Sequence, residues 1–215
     1  VKVSTIDHAR KRVAAVLEEI ERLRHCEFPY SQPRDALDLL EAKLKRERSV
    51  LDKVSPQASP EVINGACDTS LHQLYVYVPI LGFILRSTNV RNAFETYDPL
   101  LRIAQGILDP NTKLILSSEW EFSPFVAWFA DDLPGFVLIG FPAPESSNPL
   151  LVPLAGHELG HSVWTAQEFS KKFETKVENC VLNELMTNEH WNEYRSIYRY
   201  DQQDLLGDNI LARRT

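Results

Sequence analysis

Apolar residues in the first half of the chain recur at helical spacing. From Thr5 to His25, Ile6, Val13, Val16, Leu17, Ile20 and Leu23 fall on one side with charged residues between them, which predicts one buried stripe on a helix. Ser4 or Thr5 offers a hydroxyl for its N-terminal cap. Residues 28–33, with Pro29 and Pro33, break the pattern. A second helix is predicted from Arg34 to Lys53, with Leu37, Leu40, Leu44 and Leu51 on one side and a charged opposite face. The two together predict an antiparallel helical hairpin, and the charges from Lys43 to Arg48 read as a solvated face. After a Pro- and Ser-rich turn at residues 55–60, a third helical region covers Glu61 to Leu85 and a fourth covers Asn89 to Leu108. The apolar run from Leu74 to Leu85 contains Pro79 and Gly82 and is too short to span a bilayer, so it reads as a buried helix or an irregular core segment.

The pattern changes after Asp109-Pro110-Asn111. Lys113 to Ser117 is a short strand-like run. Phe125 to Phe129 fits a second strand or a turn of helix. Phe136 to Phe141 is the strongest strand signal in the chain, after a turn at Leu133-Pro134-Gly135. A loop rich in Pro, Ser and Asn leads to Pro153, which is well placed in the first turn of a further helix. The predicted fold class is α+β, mainly helical: a helical region over residues 1–110, then a region of small sheet plus helix over residues 111–215.

Composition narrows the function. A formal charge of −7 over 215 residues argues against a nucleic-acid binder and against attraction to an anionic membrane surface. Three widely spaced cysteines, Cys26, Cys67 and Cys180, form no CxxC and no even-numbered framework. They read as buried thiols in a reducing, cytoplasmic setting. Residues 1–12 are polar and basic, unlike a signal peptide. The start at Val1 and the end at Arg213-Arg214-Thr215 raise the expectation of a processed chain or a piece of a longer protein, with part of the machinery lying beyond Thr215.

The chemistry is concentrated in His157-Glu158-Leu159-Gly160-His161. Helix positions four apart lie nearly above one another, so His157 and His161 project from one face and can share an ion. Zinc suits two imidazoles plus a carboxylate with an open fourth position. Glu158, beside the first histidine, is placed to accept a proton from a water that the metal activates. Ala155, Leu159, Val163 and Ala166 form a stripe on nearly the opposite side. Gly160, which costs about 1 kcal/mol against Ala in a helix, suggests close approach of another backbone. The competing reading is a structurally satisfied histidine pair with no metal.

These five residues resemble the HExxH signature of the zincin superfamily of metallopeptidases. The order strand, turn, strand and motif helix is similar as well, over roughly residues 112–190. The resemblance implies zinc as cofactor, His157 and His161 as ligands and Glu158 as general base. It also implies that the last strand before the helix, Phe136 to Phe141, is an edge strand that pairs with an extended peptide by backbone hydrogen bonds. A gluzincin-like third ligand comes from a Glu on a later helix, often in an Asn-Glu pair. Asn183-Glu184 resembles that pair, making Glu184 the candidate third metal ligand. Val177, Val181 and Glu184 share a helix face, and a carboxylate buried among apolar neighbours would need a partner such as a metal. Glu174, Glu178, Glu189 and His190 are rivals, as is a ligand beyond Thr215. The later histidine of metzincins is absent.

The expected function is zinc-dependent hydrolysis of peptide bonds in a peptide or protein substrate. The alternative is a non-catalytic helical interaction or regulatory module with a structural or degenerate metal site, for which the charged N-terminal helices would supply a protein-partner surface. Other catalytic patterns are missing: there is no GxSxG elbow and no Gly-rich phosphate loop. Asp131-Asp132 and Glu119-Trp120-Glu121 read as solvated loop charges, and Trp164 either walls the cleft or packs in the core.

Overall fold

The computed structural model describes residues 4–55, 57–89, 93–127, 132–145, 148, 150–185 and 188–198. Among them are seven α-helices and a three-stranded mixed sheet, an α+β and mainly helical architecture. The chain divides into two compact units, residues 1–162 and 163–215.

In the first unit, helices α1 (Thr5–Arg24), α2 (Gln32–Lys53) and α3 (Pro60–Arg86) follow the predicted apolar stripes. Ser4 caps α1, its hydroxyl accepting from the Asp7 amide at 3.2 Å. The run from Leu74 to Leu85 lies wholly within α3, helical through Pro79; Leu74, Tyr77, Ile80, Leu81, Phe83 and Ile84 face the core, while Tyr75, Val78 and Leu85 are exposed. Several hairpin charges bind one another. Arg24 reaches Asp38 and Glu41 on α2, and Arg10 reaches Asp52 at 3.2 Å and the Leu51 carbonyl at 2.7 Å. Lys43 departs from the solvated-face expectation: its Nζ donates to the Asp132 carbonyl at 2.7 Å, tying the hairpin to the loop before the last strand.

Helix α4 (Ala93–Ile107) leads into strands β1 (Lys113–Glu119), β2 (Phe125–Ala127) and β3 (Phe136–Pro142). The order is β1-β3-β2, with β1 parallel and β2 antiparallel to β3. This overturns one expectation. The strand from Phe136 is central, hydrogen-bonded on both sides, and cannot accept an added strand. The antiparallel edge belongs to β2. β3 is buried almost throughout because helices cover both faces of the sheet.

Each face of the sheet has its own core. Ile115 and Leu138 pack with α1, α2 and α3, joined by half-buried Phe125, Ala127 and Phe136. Leu114, Leu116, Val126, Val137, Ile139 and Phe141 pack with Tyr97, Leu100 and Ala104 of α4 and with Leu151, Ala155 and Leu159 of helix α5 (Leu151–Ala166). The alternation of strand side chains thus produces two helix-covered faces.

The second unit contains the end of α5, helix α6 (Phe169–Leu185) and helix α7 (Asn188–Tyr198). The cysteines differ from expectation, since only Cys67 is fully buried; Cys26 is half-buried and Cys180 exposed, and none is in a disulfide. Among the described residues no helix is long and apolar enough to cross a membrane.

Candidate metal centre

Helix α5 orients the motif through its buried stripe. Leu151, Ala155 and Leu159 sit at four-residue steps and are each at most 5 % exposed, locking that face against β1, β2 and β3. Val163 is only half-buried and Ala166 is exposed, so the packed stripe is shorter than expected. His157 and His161 project away from it and are exposed. Their ring centroids are 4.9 Å apart, with planes at 86°. One ligand atom from each of His157, Glu158 and His161 lies within 4.8 Å of the others. Two borderline-soft nitrogen donors and a carboxylate at this spacing suit a zinc-sized divalent ion.

Glu158 is held from a second direction. The backbone N–H of Val126 in β2 donates to Glu158 Oε2 at 3.1 Å. An N–H bond to a carboxylate is charge-assisted and fixes the side chain beside the histidines rather than in open solvent. This partner was missed in the sequence, because a backbone donor leaves no residue-type signature. The same holds for Gly140, which faces Phe125 across the β2–β3 register. A β-carbon on Gly140 would meet the Phe125 ring at 2.5 Å and Glu119 Cγ at 3.0 Å. Gly140 therefore lets the Phe125 ring cross β3 and so sets the position of β2.

Gly160 gives the opposite result. Among the described residues a β-carbon there would meet nothing within 4 Å, so the expected close approach of another backbone is not found among them.

Glu119 also corrects the sequence reading. It is buried at the end of β1, accepting from Arg86 Nε and from the Ser117 hydroxyl, each at 2.6 Å, and is not a solvated loop charge. Asp131 lies outside the described residues. Asp132 is the residue whose carbonyl binds Lys43.

Glu184 lies on α6 in the second unit, with its side chain 68 % exposed. Val177 and Val181 are exposed as well, so the burial that was expected to demand a metal partner is not found within that unit. Its Oε1 lies 2.8 Å from His190 Nδ1, near enough for an ion pair when the imidazole is protonated, although the ring is not aligned for a hydrogen bond. On the same helix Glu174 is exposed and Glu178 half-buried. The side chain of Glu189 lies outside the described residues. Trp164 is half exposed, donating from Nε1 to the Ser170 hydroxyl at 2.7 Å and meeting Phe169 edge-on at 5.6 Å within the second unit, so it is not a core residue.

Comparison with known protein families, with curated proteins and with solved structures finds no match for this chain.

Proposed function

We propose that the chain carries the metal-binding and proton-handling core of a zinc-dependent peptidase. The observation that carries the reading is the placement of Glu158, beside both histidines and against the edge of β2. His157 and His161 would hold the ion. A bound zinc supplies Lewis acidity, polarising a carbonyl and lowering the pKa of water. Glu158 takes the proton from the attacking water and returns it to the leaving amine, a role for which a solvent-reachable carboxylate beside the histidines is suited. Glu184 is proposed as a third ligand on the resemblance of Asn183-Glu184 alone.

The substrate is an extended peptide or protein segment. Because β3 is central, the proposed place for it is the outer edge of β2, where a strand can add by backbone hydrogen bonds. The unpaired thiols and acidic charge support a cytoplasmic setting with no nucleic-acid partner. The N-terminal helices remain a proposed protein-partner surface.

The test is Glu158→Gln, assayed on a fluorescence-quenched peptide library with zinc supplied. The reading expects hydrolysis to fall by at least ~100-fold with zinc content and fold unchanged. Hydrolysis retained in the variant, or absent from zinc-loaded wild type, would leave a non-catalytic metal module as the better account.

A further inference from the structure

The amide of Val126 stands at a point of competition. In an antiparallel ladder, alternate residues turn their N–H and C=O to the same side. Phe125 and Ala127 oppose Gly140 and Leu138, and Val126 between them opposes Ile139. Because the Val126 N–H goes to Glu158, Val126 turns outward and its two neighbours turn inward to β3. Among the described residues, β2 is an edge three residues long, so Val126 is its one outward backbone donor. A peptide adding to that edge needs this donor for a carbonyl, and Glu158 already holds it.

We propose that Glu158 and an extended peptide exchange places on the Val126 amide, so that peptide binding at the β2 edge releases the Glu158 carboxylate to its proton-transfer role. The inference rests on the peptidase reading and adds a positioning function for the Val126 backbone. Glu158 is a self-ligand of the substrate edge until a peptide arrives. Its release leaves it beside the histidines, since its side chain is anchored on the same turn of α5 as His157 and His161. The exchange opposes peptide binding by the strength of one charge-assisted hydrogen bond, partly recovered by the new backbone bond.

The experiment uses metal-free protein, so that no hydrolysis interferes. Wild type, Glu158→Ala, Val126→Pro and the double variant are titrated by fluorescence anisotropy with a fluorescein-labelled heptapeptide alternating valine and serine between terminal lysines. Proline is tolerated on the outward side of an edge strand and removes the donor. Circular dichroism verifies the fold of each variant. The expected result is that Glu158→Ala binds roughly tenfold tighter than wild type, and that Val126→Pro abolishes the gain in the double variant. Equal or weaker binding by Glu158→Ala, a gain that survives Val126→Pro, or no binding by either wild type or Glu158→Ala would overturn the exchange. Hydrolysis by the zinc-loaded wild type, measured separately, distinguishes the two claims. Tighter binding without hydrolysis keeps the exchange and removes the peptidase reading. Hydrolysis without tighter binding does the reverse.

Discussion

The ring of Phe125 lies across Gly140 so closely that a β-carbon on Gly140 would come within 2.5 Å of two of its ring carbons. The contact lies on the face of the sheet opposite α5, where Phe125 also meets Phe83 edge-on at 6.4 Å. The next residue, Val126, turns its side chain to the other face and its amide outward from the strand edge to Glu158. The packing of Phe125 thus bears on the position of that amide.

Gly140→Ala is therefore expected to destabilise the fold by about 2 kcal/mol, the usual scale for forcing extra volume into a packed site. It should also weaken the Val126–Glu158 bond without touching either residue. Thermal unfolding measures the first effect and hydrogen exchange at the Val126 amide the second. Unchanged stability and unchanged exchange protection would show that Phe125 is free to move aside.

The Arg86–Glu119–Ser117 group fastens the end of α3 to the end of β1. Glu119 is buried and Arg86 nearly half exposed, so solvent screens part of the pair. Glu119→Ala should cost about 2 kcal/mol, since it strips hydrogen bonds to a charged group and leaves the Ser117 hydroxyl buried. Glu119→Gln, which keeps an acceptor, should cost less. Chemical denaturation of the two variants checks the order; equal losses would count against a charge-assisted tie.

Tyr97 predicts a dependence on alkaline pH. Burial, followed by the nearby Tyr30 and acidic side chains, pushes its hydroxyl well above the usual tyrosine range. It is buried against Tyr30, with its hydroxyl donating to the Leu114 carbonyl at 3.3 Å. The folded state keeps this proton to higher pH than the unfolded state does. The stability it contributes is fully present below the unfolded value of about 10 and is lost as pH rises above it. Tyr97→Phe should flatten the fall in denaturation midpoint between pH 9 and pH 11 relative to wild type. An identical slope in both proteins would place the titration elsewhere.

Much of the fold was legible because the helices carry clean stripes and the strands short apolar runs. Leu37, Leu40 and Leu44, for example, are all fully buried. The His157–Glu158–His161 cluster was legible for the same reason, since helical spacing alone brings those side chains together. Strand order was not. Nothing in residues 136–142 says which neighbours they pair with, and β2, at three residues, carries too little pattern to declare itself the edge. Glu119 was misread because its partner Arg86 is 33 residues away in sequence. The Val126 contact was invisible because it uses only backbone.

The central claim is that His157 and His161 bind a metal with Glu158 beside it. Elemental analysis of the purified protein, wild type against His161→Ala, tests it most directly. The account predicts about one zinc per chain in wild type and its loss in the variant, with the fold retained. Folded wild type that binds no zinc, or zinc that persists unchanged in His161→Ala, would contradict it.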